Sequence, residues 1–377
     1  MNKIAIIADQ MTAFGGADRQ MISMLKIFPK ADIYTVLYDK EKYKDISNTV
    51  YSSFLQKFPF KYKLSKHLKI FNPIAYESFD LRGYDTVISI SAGPAKGIIP
   101  QIYQTHIAMV MTPPRSLWDH ELNVRATRLK RLYRFVSSIL NNYLRIWDIT
   151  ISKRVDYWVA NSNFIATKVK KRYGVDCDVI YPGIEKKCFK KYSKEDLEEA
   201  KQRFNLPDDF ILVVSRLYDY KKVDWAIESA KETGENLIIV GSGPDRKFLE
   251  KKAKGYDHIR FLGFVKEDDD VRKIYRLAKV LLFCGIEDFG LVPVEAMAQG
   301  TPILAYNYGG VKETVLENVC GQFFNSQDEL TKLLKNFDKT RYNSKDIINR
   351  ARDFSEEIFL QTLEKYINEK TRASNIK

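Results

Sequence analysis

Two glutamates stand eight positions apart in the stretch Gly285-Ile-Glu-Asp-Phe-Gly-Leu-Val-Pro-Val-Glu-Ala-Met-Ala-Gln-Gly300. A carboxylate accepts hydrogen bonds from vicinal hydroxyls. Glu287 and Glu295 therefore suit a sugar on one side and a ribose on the other. Between them the amides of Phe289, Gly290, Leu291 and Val292 would point out of a helix start, where a phosphate is welcome. The same pattern fits a Glu295 that only complements a helix dipole and a solvated Glu287, so other residues must decide. Arg216 and Lys221 lie in the order Ser-Arg-Leu-Tyr-Asp-Tyr-Lys-Lys-Val-Asp. Two cations at a strand end could neutralise a diphosphate leaving group without a metal, although each is also an ordinary surface charge. Gly15-Gly16 opens a helix after a strand and would let backbone N–H groups approach an anion closely, or make a plain turn.

These residues need elements to position them. Val280–Cys284 reads as a short strand, with Glu287 in the loop beyond it. Pro293 suits the first turn of the next helix, Glu295 falls in that same turn, and Gly300 suits the far end. Thr301–Tyr306 reads as the following strand. In the N-terminal half, Ile4–Ala8, Ala31–Leu37, Thr86–Ile90, Ile107–Met111, Arg154–Ala160 and Val179–Tyr181 read as strands alternating with helices. The alternation restarts with Phe210–Val214, the helix Val223–Glu232, Asn236–Val240 and Ile259–Phe261. The expected class is α/β, with two Rossmann-like domains facing across a cleft, at 1–190 and 191–352, and a terminal helix at 353–377. Ligands of such sheets bind beyond the strand C-termini. Gly241-Ser-Gly-Pro244 reads as a structural loop with the proline opening its helix. Asp268-Asp269-Asp270 reads as a helix start, not a metal cluster.

No run of about 18 apolar residues occurs in the 377, so no membrane-spanning helix is expected. The N-terminal Met1-Asn-Lys-Ile-Ala-Ile-Ile-Ala reads as a strand and not a signal peptide. Cys177, Cys188, Cys284 and Cys320 lack metal-like spacing and suit reduced thiols in a cytoplasmic protein. The net charge of +13 is uneven: residues 1–190 hold 30 Lys+Arg against 16 Asp+Glu (+14), and residues 191–377 hold 31 against 32 (−1). A basic half suits phospholipid headgroups, a diphosphate-bearing acceptor or nucleic acid, or is simply a lysine-rich surface. Two segments, 125–147 and Phe58–Phe71, mix basic with aromatic and aliphatic residues. Such segments can lie on an anionic membrane or present a cationic outer face to water.

The Glu-x7-Glu segment, with Gly309-Gly310 downstream, resembles the retaining GT-B glycosyltransferases of family 4. Arg216 and Lys221 match that family's phosphate-binding pair, and Gly15-Gly16 its N-terminal glycine loop. Gly-Gly-Ala-Asp-Arg, Thr112-Pro-Pro-Arg-Ser-Leu-Trp-Asp and Ala160-Asn-Ser-Asn-Phe-Ile-Ala are similar to a subgroup of O-antigen-type mannosyltransferases. The resemblance implies that Glu287 contacts the donor hexose and that the Phe289–Val292 amides hold sugar and phosphate. It implies that Glu295 accepts from the ribose, that the backbone near Phe264-Val265 meets the base, and that the last helix crosses back to the N-terminal domain. One position departs: where the subgroup commonly carries a sugar-binding histidine, this chain has Met111. His106 cannot replace it, because five residues of strand span about 16 Å and its parity is opposite. His120 is a second candidate.

The expected activity is therefore metal-independent, retaining transfer of a hexose to a glycan or lipid-linked acceptor. The co-substrate is a nucleotide sugar, GDP-mannose favoured, with no resident cofactor. A peripheral contact with an anionic membrane is expected and nucleic acid is not. The rival functions are a nucleotide-sugar epimerase on the same architecture, and a basic membrane- or nucleic-acid-binding protein without turnover.

Overall fold

The structure is a computed structural model that describes residues 3–13, 15–65, 68–91, 93–119 and 131–374. His120 and the first part of the basic segment 125–147 lie outside the described residues. The chain forms two compact units: Met1–Tyr181 with Phe359–Lys377, and Pro182–Ile358.

The first unit is built on seven parallel strands: β1 (Ile4–Ala8), β2 (Asp32–Thr35), β3 (Val50–Ser52), β4 (Thr86–Ser91), β5 (Thr105–Val110), β6 (Tyr157–Ala160) and β7 (Asp178–Val179). Their order across the sheet is β3-β2-β1-β4-β5-β6-β7. Alternate residues of a strand face opposite sides, and here both sides are covered, so β1 is apolar throughout. Ile6, Ile88, Ile107 and Met109 pack on one face against Met21 and Met24 of the helix Gly16–Ile27. Phe359, Leu363 and Ile367 of the helix Glu356–Ser374 complete that same core. Ala5, Ile7 and Val87 pack on the other face with Leu55, Tyr76 and Ile98. Each fully buried Ile, Leu, Val, Met or Phe among them contributes about 1.5–3 kcal/mol relative to exposure.

The second unit repeats the plan with six parallel strands: β8 (Ile211–Val214), β9 (Leu237–Val240), β10 (Ile259–Gly263), β11 (Val280–Phe283), β12 (Ile303–Tyr306) and β13 (Gly321–Phe324). Their order is β10-β9-β8-β11-β12-β13. Ile211, Val213, Ile239, Leu282 and Leu304 meet Ala226, Ile227 and Ala230 of the helix Val223–Thr233. Leu330 and Leu334 of the helix Gln327–Lys335 join the same core.

Several local expectations shift. Pro244 lies in a turn, and its helix starts at Arg246. The edge strands β3 and β13 had no counterpart in the sequence pattern. The β6 strand begins at Tyr157 instead of Arg154, because Lys153 and Arg154 still close the turn that ends the preceding helix: the Arg154 amide donates to the Ile151 carbonyl at 3.0 Å.

Candidate functional site

In the second unit the strand order reverses between β8 and β11. The chain leaves β8 toward β9 on one side and leaves β11 toward β12 on the other. The loops beyond these two strands diverge, and the space between them is where an open α/β sheet takes a ligand. Arg216 and Lys221 follow β8, whereas Glu287 follows β11 and Glu295 lies on the helix after it. Four residues singled out by type and spacing thus converge on one switch point.

Lys221 closes a 3-10 turn, Asp219–Lys221, with its amide donating to the Tyr218 carbonyl at 2.9 Å. Its side chain is only 6% exposed, forms an ion pair with the Glu287 carboxylate, and lies over the Tyr220 ring at 5.0 Å. Gly285 makes the room: a Cβ there would sit 2.9 Å from Lys221 Cα and 3.0 Å from its Cδ. Gly285 therefore belongs to the site, although it carries no chemistry of its own. Its position directly after an apolar strand was the available signal.

Arg216 is exposed, with its guanidinium over the Tyr218 ring at 5.6 Å. Its loop is braced from behind by Gly241-Ser242-Gly243. The Leu217 amide donates to the Ser242 carbonyl at 3.0 Å, and the Gly241 amide donates to the Gly263 carbonyl at 2.7 Å. A Cβ at Gly241 would meet the Ser215 oxygen at 1.9 Å, and one at Gly243 the Leu217 oxygen at 2.3 Å. Phe264, 75% exposed, and the half-buried Val265 follow β10, two strands over along the same sheet edge.

The Glu287 loop is braced in the same way. Its backbone bridges that of Gly309, and the Gly310 amide donates to the Glu287 carbonyl at 2.9 Å. Gly309 adopts φ +98°, a conformation side chains rarely take. A Cβ at Gly310 would lie 2.2 Å from the Asp288 oxygen. Gly309 and Gly310 thus shape the site by letting two backbones touch. The following helix is Leu291–Ala298, entered through Gly290 at φ +96°. Its first amides have no acceptor within the helix. Phe289 is buried against Phe354, ring centroids 5.5 Å apart.

Glu295 is the fifth residue of this helix and so lies in its second turn, not the first. Pro293 is tolerated anywhere in the first turn, and here it takes the third position instead of the first. Glu295 is consequently too far along to cap the dipole. It is half-buried, and Tyr275 Oη donates to its Oε2 at 3.4 Å. Cys284, next to Gly285, is no nucleophile: burial pushes its thiol up to about 12.

Gly15 and Gly16 belong to the first unit. Gly15 caps the helix Gly16–Ile27, and its amide donates to Asp18 Oδ2 at 2.8 Å. Tyr43 Oη donates to Asp18 Oδ1 at 2.7 Å. Burial raises the Asp18 carboxyl above its ordinary range, with the Tyr43 hydrogen bond opposing it. An anion approaching Gly15 must compete with this carboxylate. Met111 is buried in the core with Ile107 and Met109. His106 lies on the opposite parity, fully buried. Its Nδ1–H donates to the Arg154 carbonyl at 2.9 Å, so Nε2 accepts from Ser89 Oγ at 2.9 Å. A polar knot holds the Thr112–Asp119 segment nearby. Lys96 Nζ donates to Asp148 Oδ1 at 2.5 Å, while Trp118 Nε1 and Tyr173 Oη both donate to Asp148 Oδ2 at 2.8 Å. Among the described residues no cluster of three or more His, Cys, Asp and Glu could hold a metal ion.

Residues 194–354 match the family described as glycosyl transferases group 1. The chain is 34% identical over 194 residues to the uncharacterised glycosyltransferase MJ1607 of Methanocaldococcus jannaschii, covering 48% of this chain and 47% of that protein. It is 27% identical over 252 residues to alpha-monoglucosyldiacylglycerol synthase of Acholeplasma laidlawii, covering 63% and 60%. It is 28% identical over 229 residues to alpha-1,3/1,6-mannosyltransferase ALG2 of Homo sapiens, covering 54% and 53%. The chain thus spans about half the length of the curated relatives it matches. Among solved structures, sucrose-phosphate synthase from Thermosynechococcus elongatus superposes with a TM-score of 0.74 at 18% identity, covering 99% of this chain and 100% of that one. Anabaena Alr3699/HepE in complex with UDP gives 0.72 at 18% identity, covering 97% and 100%. The fold, two Rossmann-like α/β units, is GT-B.

Proposed function

We propose, for a chain whose residues 194–354 match the group 1 glycosyl transferases, that the β8–β11 switch point takes a nucleotide sugar and transfers its hexose with retention. The bond from the anomeric carbon to the diphosphate oxygen breaks as the acceptor oxygen bonds that carbon on the same face. The acceptor proton passes to a phosphate oxygen of the leaving group, so no separate base is required. Arg216 and Lys221 offset the charge that grows on the diphosphate, in a position fixed before reaction. The amides of Leu291 and Val292 add partial positive charge at the helix start. Glu287, already oriented by Lys221, accepts from sugar hydroxyls, and Glu295 accepts from the ribose.

The carrying observation is the arrival of two cations and two carboxylates at one topological switch point, with a buried lysine that a neighbouring glycine must accommodate. Mannose is the favoured hexose, supported by the likeness to ALG2 mannosyltransferases at 26–28% identity. The binding of UDP by the Anabaena neighbour supports a nucleotide-linked donor. The test is hydrolysis and thermal shift of purified protein against GDP-mannose, UDP-glucose and ADP-glucose. Saturable turnover of at least one, greatest with GDP-mannose, is expected. Absence of turnover and of binding with all three would overturn the assignment.

The acceptor belongs to a glycan or lipid-linked class, and the first unit supports work at an anionic bilayer. Its segment 54–74 exposes Phe58, Phe60 (75%), Phe71 and Ile74 (60%) among lysines at 57, 61 and 69. The helix Arg131–Ser152 exposes Ile139, Tyr143, Ile146 and Ile149 at helical spacing. Apolar insertion with surrounding cations is how peripheral proteins hold anionic membranes. Phe60→Ser/Ile74→Ser is expected to cut sedimentation with phosphatidylglycerol vesicles. Unchanged sedimentation, or sedimentation indifferent to anionic lipid and salt, would rule the contact out.

A further inference from the structure

A cavity opens at the edge of the second unit's sheet opposite the switch point. It has a volume of about 400 Å³. Its walls come from residues 189–192, from the C-terminal ends of the helices Asp268–Leu277 and Leu291–Ala298, and from the helix Ser344–Arg352. Helices of a parallel α/β unit run back against the strands, so their C-termini lie at the strand N-terminal edge. The cavity is thus separated from the Arg216 and Glu287 loops by roughly 13 Å, the length of a four-residue strand.

Its chemistry is one-sided. Lys190, Lys191, Arg276, Lys345 and Arg352 line it, and no carboxylate does. Lys190 is committed to Asp269 at 3.2 Å. The floor is apolar, made by Phe189, Ala298 and Ile348. The wall is fixed by Gln299, 4% exposed, whose Nε2 donates to the Cys188 carbonyl at 2.6 Å and the Lys190 carbonyl at 3.2 Å. Arg276 Nη1 donates to the Gln299 carbonyl at 3.0 Å, which holds the guanidinium at the rim. Like charges gathered around a concave surface repel one another unless an anion joins them.

We infer that this cavity binds a phosphate or diphosphate ester carrying an apolar group, the anion on the Lys191, Arg276, Lys345 and Arg352 rim and the apolar part on the Phe189–Ile348 floor. Nothing in the transfer chemistry requires this site, so it stands or falls apart from the donor assignment.

The test is calorimetric titration of the full chain with pyrophosphate and with geranyl diphosphate. It is made in an Arg216→Ala/Lys221→Ala background that silences diphosphate binding at the switch point. Both probes are expected to bind one to one. Geranyl diphosphate should bind about tenfold tighter, the 1.4 kcal/mol that burying roughly 55 Å² of apolar surface supplies. Adding Lys345→Glu/Arg352→Glu is expected to abolish both. These two side chains are exposed, so circular dichroism and thermal unfolding should confirm an unchanged fold. Vesicles containing phosphatidic acid displace the probe if the natural ester is a bilayer headgroup and leave it bound if it is a free ester, and either result keeps the site. No binding in the silenced background, equal affinity for the two probes, or binding that survives the rim substitutions would overturn it.

Discussion

Lys221 and Glu287 form an ion pair across the β8–β11 switch point, and the lysine's stem lies against the bare backbone of Gly285. The pair joins the group expected to meet the leaving diphosphate to the group expected to meet the sugar. Each holds the other in place before any ligand arrives.

Lys221→Met should lower turnover of the nucleotide sugar by at least about tenfold, equivalent to 1.4 kcal/mol of transition-state stabilisation. The defect should lie in kcat more than in KM, because the charge it offsets grows during reaction. Glu295→Ala should instead raise KM. Steady-state kinetics separate the two, and wild-type values in both variants would remove these residues from the site.

Gly285→Ala and Gly310→Ala should each lower activity by displacing backbone, with no change in any reacting group. The new Cβ would meet Lys221 Cα at 2.9 Å in the first, and the Asp288 oxygen at 2.2 Å in the second. Overpacking of this kind costs typically about 1–3 kcal/mol. Urea denaturation reads the stability and product formation reads the activity. Neutral behaviour in both would mean the two loops are softer than their packing indicates.

How much of this was legible beforehand depended on whether the signal lay in one segment. Glu287, Arg216 and Lys221 are short-range patterns at strand ends, and the alternation of strands and helices assigned them to one sheet edge. The first turn of the helix after Glu287 was less legible, because Pro293 fits any of its first positions equally well. The edge strand β3, Val-Tyr-Ser, is half-exposed, and β13 starts at a glycine, so neither carries an apolar run. The cationic cavity was beyond reach: Lys191 and Arg352 are 161 positions apart, and only the tertiary fold gathers them.

Lys96→Met should destabilise the first unit by about 3–5 kcal/mol, the usual cost of removing one partner of a buried ion pair. Both side chains are almost fully buried, and among the described residues Asp148 would keep Trp118 and Tyr173 as donors. Equilibrium denaturation measures it. A loss below about 1 kcal/mol would mean that water reaches the carboxylate.

His106 should make stability fall in mild acid. Burial lowers its pKa from 6.5 to about 4. Above 6.5 the imidazole is neutral in both states and its contribution is complete. Between 6.5 and about 4 the unfolded chain takes up a proton that the folded chain refuses, so stability declines as pH falls. His106→Gln should flatten the profile in that window. Denaturation midpoints at pH 7 and pH 5 that differ equally in both proteins would contradict this.

The helix Glu356–Ser374 puts Phe359, Leu363 and Ile367 into the core of the first unit, and the chain reaches them only after all of the second. During synthesis the second unit can close as a continuous segment while the first still lacks one wall. The part translated first is thus the part finished last. A fragment ending at Tyr181 would lack the cover that Tyr366 and Lys370 give to Asp178 and Tyr157 and that Phe359, Leu363 and Ile367 give to the core, and the missing helix added as a separate peptide is the piece that would seal it.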